Sequence, residues 1–331
     1  MAAAKGMCLL YQLGRQFRVR SARVLCCNRG MSLDELRALL ERHARPDLAT
    51  VIDGVRICKV DYVAAPESSM SGTVLAVIAQ GGKRLALGDR FYDYGAGQYL
   101  VASVDVPVTG HVMDAAPGRP ALGFGMTLEP AVIAELLLQA APGDLSRSRG
   151  IAQPGIAVSD APGELLDAIV RLLRLLDRPR DRKALAPLVK REILWRLMTG
   201  EQGDVVRQLG VADSSLMHVR RAVRWIRENY TRPFRVEDVA QLSGMSVSAF
   251  HRNFQEVTAM SPIQFQKHIR LQAARLLLAN RPNDITGVGQ RVGYDSPSQF
   301  SREYRRQFGA PPSVDAARLR GGAGPAAPAL P

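Results

Sequence analysis

The chain has little cysteine. Its 331 residues include four, Cys8, Cys26, Cys27 and Cys58, three of them in the first 27 positions. That is no disulfide framework, and no Cys-x-x-Cys pair offers a zinc site. Reduced thiols in the cytoplasm are the expected state. A redox role for the adjacent Cys26 and Cys27 stays open as an alternative. Histidine is as sparse, with only His43 and His111 in the first two hundred residues. A histidine-ligated metal centre lacks ligands, and no metal or other cofactor is expected. Tyr92, Asp93 and Tyr94 are polar but show no nucleophile–base arrangement, so the chain is not read as an enzyme. A DNA alkyl-transfer chemistry would need a metal-bound reactive cysteine set, and Cys58 stands alone. No apolar run nears the ~20 residues of a membrane span, so no membrane partner is expected.

Acidic residues are also missing where it matters. Residues 1–30 hold six basic side chains and no acidic one. Residues 31–214 carry a net −2, and residues 215–320 a net +9, within a total of +13. The basic field thus sits on the last hundred residues. Localised positive charge favours nucleic acid, through phosphate contacts and counterion release. A solvated basic face without a partner is the plain alternative, which the repeat described below disfavours.

A chain of this length suits two domains. Residues 1–30 read as a basic, disordered leader, and Met31 is a candidate initiator. Ser32 then caps a helix through Leu33, Leu36, Leu39 and Leu40, with Glu35 completing a capping box. Residues 50–128 show short apolar runs at Val55–Val60, Thr73–Ile78 and Tyr99–Val104, split by turn residues. Such spacing predicts a sandwich or small barrel. Gln80-Gly81-Gly82-Lys83 reads as a hairpin turn. Two leucine stripes follow, Leu165 to Leu176 and Leu185 to Leu197. They are either core or, over 164–197, a homodimer seam. Residues 201–214 read as a polar linker, and residues 321–331 as a disordered tail.

The last hundred residues contain one pattern twice. Val239 to Phe254 and Val288 to Tyr304 each give an apolar helix, a turn with glycine (Gly244, Gly293), a capping serine (Ser246, Ser296) and a second helix. Phe250, Arg252 and Phe254 recur as Phe300, Arg302 and Tyr304. Residues four apart share a helix face, so the aromatic pairs belong in the core. The opposite face offers Ser248, His251 and Arg252 in one unit, and Pro297, Ser298, Ser301 and Arg302 in the other. In a helix-turn-helix the second helix enters the major groove, where arginine can take guanine O6 and N7 together. Arg305 and Arg306, a turn further on, are expected at phosphates. Pro262 to Ala279 supplies a connector of about 27 Å, near the ~34 Å separating successive major grooves.

These residues resemble the AraC/XylS family of bacterial transcription regulators. The likeness rests on Gly244-Met245-Ser246-x-Ser248-x-Phe250-x-Arg252-x-Phe254, Met260-Ser261-Pro262, Arg270-Leu271-x-x-Ala274-Arg275, and Val292-Gly293-Tyr294-Asp295-Ser296-x-Ser298-x-Phe300-Ser301-Arg302. It implies two helix-turn-helix units joined by a long helix, near 236–257 and 284–307. The family's base-reading positions fall on Ser248, His251, Arg252, Pro297, Ser298, Ser301 and Arg302. The first half, through Leu87-Gly88-Asp89-Arg90-x-Tyr92-x-Tyr94 and Ser103-Val104-Asp105, is similar to the family's cupin-like effector domain. That likeness implies a small-molecule pocket in a jelly-roll barrel. Gly287 and Gly289 stand where the family more often has better helix formers, which suggests a softer second reader.

The expected architecture is therefore α+β and multidomain. A β-rich, cupin-like (jelly-roll) domain with helices spans 31–200, and an all-α double helix-turn-helix domain spans 215–320. The expected function is a sequence-specific transcription regulator, an activator by preference, in the bacterial cytoplasm. Double-stranded DNA, a small-molecule effector and RNA polymerase are its expected partners. An enzyme tethered to DNA and a ligand-free architectural binder are the competing readings.

Overall fold

The structure, a computed structural model, describes residues 32–63, 66–141, 145, 154–280 and 282–321. The leader, Cys8, Cys26, Cys27 and the tail beyond 321 lie outside the described residues. Helix α1 covers residues 32–43. Leu36 and Leu40 are fully buried on it, as the spacing predicts. The Glu35 carboxylate takes Arg174 through two hydrogen bonds of 2.6 and 2.7 Å. The Ser32 hydroxyl donates to Asp167.

Two antiparallel sheets form the first half. One has the order β1-β8-β3-β6-β9, built from Val55–Val60, Ala121–Thr127, Val74–Gln80, Gln98–Ala102 and Ile156–Asp160. The other has the order β2-β7-β4-β5, built from Glu67–Met70, Pro107–Val112, Gly82–Leu87 and Arg90–Gly95. Period-two alternation explains how they face each other. On β4, Lys83, Leu85 and Leu87 are buried between the sheets while Arg84 points out to Asp93. The Gln80–Lys83 step is not a hairpin. β3 and β4 belong to different sheets, and Gly81, at φ 82°, turns the corner between them. A Cβ at Gly81 would lie 2.9 Å from that of Ala121, so the corner needs glycine.

The helical layer follows. α2 spans Pro130–Gln139, α3 Gly163–Arg174 and α4 Pro179–Thr199. The first leucine stripe is core, since Leu165, Leu166, Ile169, Leu172 and Leu173 are all buried. The second is only half so. Ile193, Leu194 and Leu197 are buried, but Leu185 and Leu188 are 43% and 61% exposed. The segment read as a linker contains a helix, α5 (Gly203–Gly210), with Val205, Val206 and Leu209 buried. Its glycines allow close approach: a Cβ at Gly210 would sit 2.8 Å from the Ala134 amide on α2.

The second half is all helix: α6 (Ser215–Glu228), α7 (Val236–Leu242), α8 (Val247–Thr258), α9 (Pro262–Asn280), α10 (Ile285–Arg291), α11 (Pro297–Phe308) and α12 (Pro312–Gly321). Phe250, Phe254 and Phe265 are fully buried, in a core continuous with that of the sheets. Phe300, Tyr304, Leu271, Ala274 and Leu278 form a separate core. The seam between the halves is specific. The Gly155 amide donates to the Val257 carbonyl at 2.9 Å. Arg90 donates to the Glu256 carbonyl at 3.2 Å and pairs with its carboxylate at 3.6 Å. Arg227 of α6 pairs with Asp105.

Removing the Phe254 ring opens a cavity against Phe250 and Phe265, in a core continuous with that of the sheets. Phe254→Ala is expected to cost about 3–5 kcal/mol, read by denaturant unfolding. The loss should register in both halves, as one transition or as two destabilised transitions.

Candidate nucleic-acid interface

Each reading unit is set by its turn. Gly244 takes φ 76° and Gly293 φ 90°, in the left-handed region where a side chain is strained. Space is short as well. A Cβ at Gly244 would lie 3.2 Å from the His218 ring, and one at Gly293 would overlap the Thr231 carbonyl. Serine then starts each second helix. Ser246 Oγ accepts from the Ala249 amide and Ser296 Oγ from the Gln299 amide, both at 3.3 Å. α8 ends at Ala259 in the left-handed region (φ 53°), where α11 uses Gly309 (φ 75°).

The aromatic pairs point inward as the spacing predicts. Phe250 and Phe254 pack with tilted rings at 5.3 Å between centres, and Phe254 meets Phe265 of α9 edge-on at 5.5 Å. In the second unit Tyr294, Phe300 and Tyr304 form the corresponding ladder, at 5.3 and 5.6 Å. The opposite faces are turned to solvent. Ser248, His251 and Arg252 are exposed on α8. Pro297, Ser298 and Arg302 are exposed on α11, with Ser301 half-buried. Arg305 and Arg306 are exposed in the last turns of α11. Among the described residues, the side chains of Arg252, Arg302, Arg305 and Arg306 have no hydrogen-bond or ion-pair partner. That contrasts with other arginines of this half. Arg221 holds the Ser243 carbonyl, Arg270 holds those of Tyr230 and Gly293, and Arg275 holds Asp315.

The positioning residues escaped sequence reasoning. His218 Nδ1 donates to the Ser243 carbonyl at 2.6 Å, fixing the first turn against α6. Gln266 donates to the Tyr230 and Arg232 carbonyls at 2.9 and 2.5 Å. Buried Glu303 accepts from Lys267 and Tyr294, both at 2.9 Å, and from Gln299 at 3.3 Å. Burial opposes its charge, yet those donors hold the carboxyl below its usual range. Burial lowers the His268 imidazole, helped by the Arg306 charge. Arg270 and Arg275 lie in the sequence run noted above, but their partners are 23 to 40 residues away. Polar reach of that length leaves no local signal.

The two glycines of α10 have a packing role that the helix-propensity argument misses. The Asp284 carboxylate caps α10 by accepting from the Gly287 amide at 3.0 Å, and it occupies the place where a Cβ would go. At Gly289 a Cβ would lie 3.1 Å from the Phe300 ring. The propensity cost of up to ~1 kcal/mol each accompanies the Asp284 cap at Gly287 and the seating of α10 on Phe300 at Gly289.

Comparison with known proteins agrees with this architecture. Residues 51–205 match the AraC-type transcriptional regulator N-terminus, and residues 239–318 match a helix-turn-helix domain. A β-rich domain followed by paired helix-turn-helix units defines a two-part regulator. The chain belongs to the AraC family of helix-turn-helix transcriptional regulators, a family of DNA-binding proteins rather than enzymes. It is 30% identical to the HTH-type transcriptional regulator ExsA of Pseudomonas aeruginosa over 164 residues, 48% of this chain and 57% of that protein. Over 97 residues it is 32% identical to the uncharacterized HTH-type transcriptional regulator YpdC of Escherichia coli, 29% of this chain and 34% of that protein. The chain thus covers less than two thirds of each relative's length. Among solved structures, unsaturated fatty acid bound ToxT from Vibrio cholerae aligns with a TM-score of 0.49 and 12% identity, over 81% of this chain and 95% of that one. No helix among the described residues is long and apolar enough to cross a membrane.

The Glu303 cluster predicts a pH response of the second unit. A carboxylate whose folded pKa is depressed contributes stability above its unfolded value, and that stability is lost as pH falls through the folded one. The hydrogen-exchange protection factors of α10 and α11, taken relative to the intrinsic rate at each pH, should therefore fall on acidification below the ordinary carboxylate range. In Glu303→Gln this acid dependence should shrink, while exchange at neutral pH should already be faster than in the parent.

Proposed function

We propose that the chain is a sequence-specific, DNA-binding regulator of transcription, acting in the bacterial cytoplasm as an activator under the control of a small molecule. The observation that carries this reading is the pair of exposed helix faces with unpartnered arginines. An arginine without an intramolecular acceptor is available to guanine or phosphate, and in each unit it lies one residue beyond the exposed His251 or the half-buried Ser301. In this reading Ser248, His251, Arg252, Ser298, Ser301 and Arg302 face bases. Pro297 adds a contact surface but no hydrogen bond, and Arg305 and Arg306 hold phosphates. Residues 215–320 serve as the reader, and residues 31–200 as the effector and dimerisation unit. Relatives named as activators, such as the virulence regulon transcriptional activator VirF of Yersinia enterocolitica at 29% identity, favour activation, with RNA polymerase as the protein partner. The exposed Leu185 and Leu188 favour a homodimer through 164–197.

Binding to the native operator and to random duplex, followed by fluorescence anisotropy at several salt concentrations, tests the reading. Arg252→Ala and Arg302→Ala should each weaken operator binding by roughly 1–3 kcal/mol and leave random binding nearly unchanged. Arg305→Ala should weaken both alike and lower the salt slope by about one. Equal losses on operator and random DNA for Arg252→Ala and Arg302→Ala would rule out base reading.

A further inference from the structure

One cavity among the described residues lies outside the β sandwich. It is a groove of about 650 Å³ on the helical layer, between α2, α4 and the turn at 51–53. That volume falls within the range of small-molecule sites and is too confined for a folded partner. Val51, Ile52, Val132, Ala186 and Leu194 give it an aliphatic wall without an aromatic ring. The polar lining is cationic: Arg182, Lys183, Lys190 and Arg191 against Asp53 and Glu129. Two of the cations are already used. Lys190 pairs with Glu129 at 2.5 Å, and Arg191 pairs with Glu135 at 2.9 Å. The side chains of Arg182 and Lys183 have no hydrogen-bond or ion-pair partner among the described residues. They stand in the first turns of α4, where the helix dipole adds to the positive field.

From this juxtaposition of an aliphatic wall and two uncompensated cations, we infer that the groove is the effector site and that it takes a small aliphatic organic anion, its carboxylate on Arg182 and Lys183. The inference rests on reading the first half as an effector domain. It differs from the barrel-interior pocket that family resemblance implies.

The groove's walls lead to the DNA-reading half. α5 is wedged against both: Gly210 touches α2 at Ala134, and Gly203 touches the Met198 carbonyl of α4. The Ser214 hydroxyl donates to the Gln208 carbonyl of α5 at 2.8 Å and accepts from the Met217 amide at 3.2 Å, so it fastens α5 to the start of α6. α6 in turn holds the first turn through His218 and Arg221. A ligand that changes the spacing of α2 and α4 moves α5, because neither glycine contact leaves slack. The positions of α6 and α8 then follow.

The test is calorimetric titration of the full chain with octanoate, and with octanol as the uncharged counterpart. The parent should bind one octanoate per chain, and octanol at least ten-fold more weakly. Arg182→Ala/Lys183→Ala, which removes one half-buried and one exposed side chain without a hydrogen-bond or ion-pair partner, should keep the parent's melting temperature and lose at least ten-fold in octanoate affinity. Unchanged octanoate affinity in this variant, equal affinity for octanol, or no octanoate binding at millimolar concentration would overturn the assignment. Operator binding of the unliganded parent, measured on the same samples, keeps the two readings apart. If it is intact while octanoate fails to bind, the groove assignment alone falls. If it is absent while octanoate binds at Arg182 and Lys183, the regulator reading alone falls.

Discussion

The C-terminal half depends on α9 being a rigid spacer buried at both ends. Its N-terminal part gives Phe265 to the aromatic core of the first unit. Its C-terminal part gives Leu271, Ala274 and Leu278 to the core of the second. Between them, Gln266 and Arg270 tie the same helix to the backbone of residues 230–232 and to Gly293. Nineteen residues at 1.5 Å per residue give about 28 Å. A helix fixed by packing at both ends transmits that spacing without loss. Each reading helix is then oriented by its own aromatic pair, which leaves serine, histidine and arginine on the outer side.

The two units are not equivalent in their support. The core of the first runs into that of the sheet domain, and its recognition helix ends against it. Gly155, Gly88 and Arg90 meet Val257, Ala259 and Glu256 at the C-terminal end of α8. The second unit has its own small core, stiffened by buried polar clusters around Glu303 and Asp315. A change in the first half therefore reaches α8 directly, and α11 only at second hand, through α9 or through the segment at Tyr230 and Thr231 that follows α6. On the proposed reading, this asymmetry would give an effector a physical route to the relative placement of the two readers, and so to binding at successive grooves.

Much of this was legible in the sequence because the signals were local. The 3.6-residue period placed Phe250, Phe254, Phe300 and Tyr304 inside and the arginines outside. Turn glycines and capping serines marked α8 and α11, whose N-caps are the expected Ser246 and Ser296. What failed was non-local. The Gly81 corner looks like a hairpin turn in sequence, but β3 pairs with the distant β8 and β6, and the local hairpin is the next one, β4 with β5. Residues 201–214 look polar, yet α5 forms there because α2 and α4 cover its apolar face. Gly287 and Gly289 look like helix weakeners until Asp284 and Phe300 are seen against them.

The central claim, two arginine-bearing helices held one duplex pitch apart by a single chain, is tested most directly by hydroxyl-radical footprinting of the purified protein on its operator. The account predicts that each bound chain protects two patches centred about 10 base pairs apart on one face of the duplex. It also predicts that Arg302→Ala clears one patch while the other persists. A single protected patch per chain, or two patches on opposite faces of the duplex, would contradict it.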